Sequence, residues 1–273
     1  MRRALRWTLL VAALLFAGMA IFLRLKMEEG RALMDQFMSE ALQGVDMHDT
    51  DAVAMALSQH VFGRTNRGVP LSKLGWYERW ESTSFFNVTT TTSLKLGVYG
   101  VEGHSQFGPC GTMSRVLLNA LWRLKIPARK LQLLGDPARG YVNHTMVEYW
   151  SKGRWEVISP SDSSFVWRNA RGQVATLAEI EADPAIRDQI RVWRNHWPAT
   201  FANARHIRWE KLPAPVRGAI RLAMGPKRYE SAETPRLYDQ PRRLMFTLSS
   251  TAAALCLLLG LATRVLPGSG PKG

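Results

Sequence analysis

Two uncharged apolar runs, one near each end of the chain, constrain the fold more than any other feature. Residues 7–23 read WTLLVAALLFAGMAIFL and residues 244–263 read LMFTLSSTAAALCLLLGLAT. Both match the length of a helix that crosses a hydrocarbon core, which takes roughly 17–25 residues. Arg2, Arg3 and Arg6 precede the first run, and Arg24 and Lys26 follow it. A secretory signal peptide also fits that run, with Gly18 and Ala20 as small residues before a cut. Ile21, Phe22 and Leu23 carry the apolar run past that point and favour an uncleaved anchor. The second run lies between Arg243 and Arg264, with a short basic tail that offers little protein to bury a core helix.

Two spans place both termini on one side of a membrane and residues 24–243 on the other. The expected organisation is an anchor over 1–23, a helical segment over 24–75 and a core domain over 76–197. A basic juxtamembrane segment over 198–243, a span over 244–263 and a basic tail over 264–273 complete it. Charge does not fix the orientation, because the basic residues flanking the two runs are nearly equal in number on the two sides. The reading taken is an integral protein of the bacterial inner membrane, with the periplasmic side preferred for the central segment over the cytoplasmic one.

The chain carries 36 Lys and Arg against 22 Asp and Glu, a formal charge of +14. That excess fits juxtamembrane anchoring on a lipid bilayer better than nucleic-acid binding. Neither a Gly-Lys-Ser/Thr phosphate loop nor a Cys/His finger spacing occurs, so no nucleic-acid partner is expected. Only two cysteines are present, Cys110 and Cys256. This excludes a disulfide-stapled scaffold, and Cys256, in mid-span, cannot reach Cys110. No metal or organic cofactor is implied.

Between the runs, Leu33, Met34, Phe37, Ala41, Leu42 and Val45 form the stripe of an amphipathic helix over 27–45. Thr50 is a candidate N-cap for a helix reaching about His60. Residues 63–75 read as a loop, and 83–101, rich in Thr, Phe and Val, as extended structure. The Gly108-Pro109-Cys110-Gly111-Thr112 turn opens a helix whose apolar face carries Met113, Leu117, Ala120, Leu121 and Leu124. Residues 144–150 and 154–158 read as a hairpin turning at Ser151-Lys152-Gly153, with Trp150 and Trp155 as a cross-strand pair. Residues 177–181 and 185–197 read as helical, with Asp183-Pro184 as a restart. Over 205–229, Val216, Ile220, Ala223 and Met224 stand opposite Arg217 and Arg221. That pattern fits a helix lying on a membrane surface or an ordinary solvated helix.

Cys110 is the most informative single residue. A helix N-terminus stabilises a thiolate and so supplies a nucleophile. A lone cysteine beside a helix is more often inert core, and the histidine at the start of the next strand, His144, changes that weighting. A thiol nucleophile needs a base within hydrogen-bond reach and a third group to orient it.

Gly108-Pro-Cys110-Gly-Thr, Lys125-Ile-Pro-Ala-Arg129, His144-Thr-Met-Val-Glu148, Gly153-Arg-Trp155 and the later Phe165 and Gly172 resemble, in that order, a bacterial transglutaminase-like domain. The resemblance covers roughly residues 100–185. It implies an α+β fold in which a Cys-bearing helix packs on an antiparallel sheet, here set between two transmembrane helices. It also implies a papain-like Cys-His-Asp triad acting on a peptide or protein amide, with Cys110 as nucleophile and His144 as base. The family's aspartate falls four residues after the Trp and before a Pro, and that position here is Ser159. Three alternatives follow: Ser159 serves as third member, Asp162 replaces it, or the site is degenerate. In the degenerate case the fold would be a binding or assembly module among other membrane proteins. A third function, a basic membrane-surface binder, rests on charge alone. The Cys110 N–H is one candidate oxyanion donor, and Gln106 or Trp76 a second, while His104 reads as a loop residue.

Overall fold

The computed structural model describes residues 2–65, 67–84, 88–101, 109–135, 144–161, 165–189, 199–207, 209 and 212–265. The chain divides into two compact units, one made of residues 1–32 and 236–273 and the other of Leu33–Pro235.

The first unit is built on the two apolar runs. Helix α1 runs Arg2–Ala41 and helix α10 runs Pro241–Val265, and each is long and apolar enough to cross a membrane. Their apolar stretches are largely exposed, unlike the core helix of a soluble protein. The two helices lie antiparallel: the Arg242 guanidinium donates to the Lys26 carbonyl at 3.0 Å, while Gly260 sits against Leu9 and Leu10. Glycine at 260 lets the helices approach closely, the role small residues play where no hydrophobic force drives helix pairing. The anchor over 1–23 and the amphipathic stripe over 27–45 belong to one continuous helix through Ala41. Arg24–Glu28 and Lys26–Glu29 ion pairs carry it across the boundary between the two patterns.

The second unit is α+β. It contains a five-stranded antiparallel sheet in the order β6-β5-β4-β3-β7, with β3 Ala128–Gly135, β4 His144–Ser151, β5 Arg154–Ser159, β6 Phe165–Val166 and β7 Ala199–Arg205. Helix α2 (Thr50–Arg64), helix α5 (Pro109–Arg123) and the end of α1 cover one face. Phe37, Leu57, Leu117 and Leu121 meet Val147, Tyr149 and Ile158 there. Leu131, Leu133, Met146 and Val157 point to the other face and pack with Trp167, Ile180, Ile186 and Phe201. Ile180 comes from α6 (Leu177–Ala182), whose N-terminus carries a Thr176/Glu179 capping box, and Ile186 from α7 (Pro184–Arg187), capped by Asp183. A short parallel pair, β1 (Arg67–Val69) and β2 (Val98–Val101), stands apart from the main sheet. Further helices are α3 (Trp76–Ser84), α4 (Thr90–Leu96), α8 (Ala214–Met224) and α9 (Pro226–Glu230).

The hairpin folds as its turn residues require. Lys152 and Gly153 both have positive φ, 50° and 81°, the pattern of the tight turn that matches strand twist. Trp150 pairs with Trp155 in register, their rings edge-to-face at 5.4 Å.

Several local expectations are corrected. The threonine-rich stretch within 83–101 is not extended: Thr89 caps α4 by accepting from the Thr92 N–H, and Gly97, at φ 64°, closes the helix. Side-chain capping by threonine outweighs its preference for strands here. Asp49, not Thr50, caps α2. The stretch 63–75 contains the end of α2, β1 and a 3-10 turn over Leu71–Lys73. Lys125, at φ 62°, turns the chain between the end of α5 at Arg123 and the start of β3 at Ala128. The helix over 185–197 is represented by α7, and residues 190–198 lie outside the described residues. Strand β7 belongs to the sheet although its residues fall in the stretch read as juxtamembrane.

Candidate functional site

Two hydrogen bonds set the direction of α5 along the sheet. Near its start Ser114 Oγ donates to the Thr145 carbonyl at 3.0 Å, and near its end Trp122 Nε1 donates to the Ala128 carbonyl at 2.8 Å. Thr145 is the second residue of β4, and Ala128 pairs with Tyr149 towards that strand's other end. Cys110, one turn before Ser114, therefore sits at the end of the sheet where β4 begins with His144. One helical turn is about 5.4 Å of rise. The thiol is half-buried, in the first turn of α5.

His144 and Ser159 come together directly. Their side chains lie on adjacent strands, and His144 Nε2 is 3.0 Å from Ser159 Oγ. Both residues are buried, 1% and 0% exposed, so this hydrogen bond forms away from water. Alternation along β4 turns His144 to the face of Met146 and Glu148, whereas α5 lies on the face of Val147 and Tyr149. A Cys110 thiol would thus meet the imidazole around the end of β4 rather than across the sheet face.

The other expected residues divide. Asp162, His104 and Gln106 lie outside the described residues. Trp76, in α3, is 77% exposed. Cys256 lies within α10, apart from this constellation in sequence and unit.

A second constellation occupies the opposite end of the same sheet face. Arg129 pairs with Glu148 in register, and its Nε donates to Glu148 Oε2 at 2.7 Å. Its guanidinium carbon lies 4.1 Å from the Trp155 ring centroid, and its NH1 donates to Glu233 at 2.9 Å. His206, just after β7, donates to the same Glu148 oxygen at 2.7 Å. Burial pushes the Glu148 carboxyl up, but the His206 hydrogen bond and the Arg129 charge outweigh it and hold it below the usual carboxylate range. Arg129, Glu148 and Trp155 stood in the sequence as separate motif residues. Only the strand register reveals that they form one cluster, and His206 carried no signal in the sequence.

On the helix-covered face a carboxyl pair links α2 to the hairpin. Asp51 accepts from Lys152 Nζ at 2.6 Å and from the Tyr149 hydroxyl at 3.3 Å. Buried Glu156 stands beside it and pairs with Arg154 Nε at 3.1 Å. Burial, then the neighbouring Asp51, pushes the Glu156 carboxyl up to about 7. Burial raises Asp51 too, but the Glu156 and Lys152 hydrogen bonds outweigh it and leave Asp51 lowered. The two carboxyls are thus pushed apart, Glu156 upward and Asp51 downward.

No protein-family model, no curated protein and no solved structure matches this chain.

Proposed function

We propose that the protein is a membrane-anchored, transglutaminase-like thiol enzyme acting on a peptide or protein amide, with Cys110 as nucleophile, His144 as base and Ser159 as the group that orients the base. The carrying observation is the buried 3.0 Å contact between His144 Nε2 and Ser159 Oγ, made by the residue at the family's aspartate position. The meeting of Arg129, Glu148 and Trp155 supports the same resemblance. With Nε2–H donated to Ser159, Nδ1 is the ring nitrogen that would meet the thiol.

The thiolate attacks the amide carbon while Nδ1 holds the thiol proton. The C–N bond then breaks, the proton leaves with the amine, and a thioester remains on Cys110. Water or a second amine takes the acyl group and restores the thiol. The Cys110 N–H, at the start of α5, donates to the oxyanion in this reading. The chemistry needs no metal or organic cofactor. The two apolar helices anchor the enzyme, and we assign it to the bacterial inner membrane with the α+β unit on the periplasmic side.

A second reading is a degenerate fold that serves as a binding or assembly module. The hydroxyl at 159 favours it, because a serine stabilises an imidazolium less than a carboxylate does.

The test is the rate of Cys110 alkylation by iodoacetamide between pH 4 and 9, mapped by mass, in wild type and His144→Ala. A thiolate at or below neutral pH that shifts upward in the variant supports the enzyme. A thiol titrating near 8.5 and indifferent to His144 sinks it.

A further inference from the structure

Helix α8, Ala214–Met224, has no buried residue. Val216 and Met224, which share one face of the helix, are both exposed. Eleven residues are too few for a helix to persist in water on propensity alone, so this one calls for a surface to lie on. Its sequence supplies an apolar face of Val216, Ile220, Ala223 and Met224, and the helical turn sets Arg217 and Arg221 along one edge of that face rather than opposite it.

The chain presents α8 as a pinned excursion. It leaves the sheet at His206, bonded to Glu148, and returns at Glu233, bonded to Arg129. Thr234 Oγ1 donates to the His206 carbonyl and closes the base. Trp209 stacks on Tyr229 at 4.3 Å and its indole N–H donates to the Tyr229 carbonyl at 3.0 Å, which fixes α9. Among the described residues of α8, Arg217 and Ile220 are half-buried and the rest are exposed. From Thr234 to Pro241, the first residue of α10, is seven residues, at most about 25 Å of extended chain. Residues 205–243 hold ten Lys or Arg against four Asp or Glu.

We infer that α8 is an anionic-lipid docking helix, its apolar face inserted at the headgroup boundary and Arg217 and Arg221 paired with lipid phosphates. The inference rests on the membrane anchorage read from α1 and α10, but not on the thiol chemistry.

The test uses the full chain with Cys110 and Cys256 both replaced by serine and an environment-sensitive fluorophore attached through Val216→Cys. A second label, through Gly218→Cys, reports the opposite side of the helix. The chain is reconstituted in nanodiscs of phosphatidylcholine alone or with about one third phosphatidylglycerol. Blue-shifted, brighter emission at 216 but not 218, only with the anionic lipid, is expected. Replacing both arginines (Arg217→Gln, Arg221→Gln) should lower the bound-to-free ratio roughly thirtyfold at low salt, from the usual contribution of a juxtamembrane basic residue. An aqueous spectrum at 216 in both lipids overturns the inference. So does an apolar spectrum indifferent to lipid charge and to the arginines, which would mean that protein covers the face. A chain that fails to enter neutral nanodiscs overturns the anchorage instead. The same labels with added anionic vesicles then decide α8 by themselves.

Discussion

Glu156→Gln should flatten the pH dependence of stability between about pH 4.5 and 7. In the folded chain the Glu156 carboxyl is raised to about 7, against an ordinary value of 4.5, by burial and then by Asp51. The native state therefore binds a proton more tightly than the unfolded chain does. Stability is highest below the unfolded value and falls as pH rises through the folded one. Raising this carboxyl from 4.5 to about 7 corresponds to at most about 3 kcal/mol lost between pH 4.5 and 7. Asp51, lowered, acts in a separate window: its stability is present above the ordinary carboxylate range and is lost only as pH falls below it. The assay is urea unfolding in mild detergent followed by tryptophan fluorescence, in wild type and Glu156→Gln, from pH 4.5 to 8. Contributions from groups other than residue 156 are common to both curves and cancel in the difference. The variant should lack most of the wild-type decline and gain on wild type at pH 8. A variant with an undiminished decline, or a wild type that becomes more stable across this window, would refute the raised Glu156 carboxyl.

Arg129→Met leaves the buried Glu148 carboxylate with His206 as its remaining named partner and should cost about 3–5 kcal/mol at neutral pH, read from the urea midpoint. Because Glu148 is held low, the wild-type contribution is present above the ordinary carboxylate range and is lost in acid, so the gap between the two proteins should narrow below about pH 4. Gly153→Ala places a Cβ at φ 81° and should destabilise the hairpin by about 1–2 kcal/mol although nothing crowds the added carbon, visible as a lower melting temperature. Ser159→Asp places a carboxylate beside the His144 ring and should shift the Cys110 alkylation profile to lower pH by about one unit. An unchanged profile would disconnect residue 159 from the thiol.

The parts of this fold that were legible in the sequence are those set by local rules. The apolar face of α5 repeats at helical spacing, and the Lys152-Gly153 turn can be read from its residue types. The threonine run at 89–92 misled because composition favours strands, whereas one hydroxyl at the right offset starts a helix. Strands β3 and β7 were missed for another reason. β3 follows α5 within four residues, through a left-handed turn at Lys125, and β7 has little apolar alternation to announce it, with Phe201 as the large buried side chain among its described ones.

The candidate site divides along the same line. That Ser159 stands four residues after Trp155 is a fact of spacing, legible in the sequence alone. That Ser159 reaches His144 is a fact of register: β4 and β5 pair Val147 with Ile158, so Ser159 falls opposite Met146 and diagonal to His144 on the same face. A one-residue slip would turn Ser159 to the helix-covered face and part the two groups. The same register joins Arg129 to Glu148 on the neighbouring strand, and that bonded pair is well placed to oppose a slip between β3 and β4. The Trp150–Trp155 pair and the tight turn do the same between β4 and β5. The motif residues farthest from the thiol are thus best understood as register pins. Their loss should weaken His144–Ser159 alignment without any contact to either group.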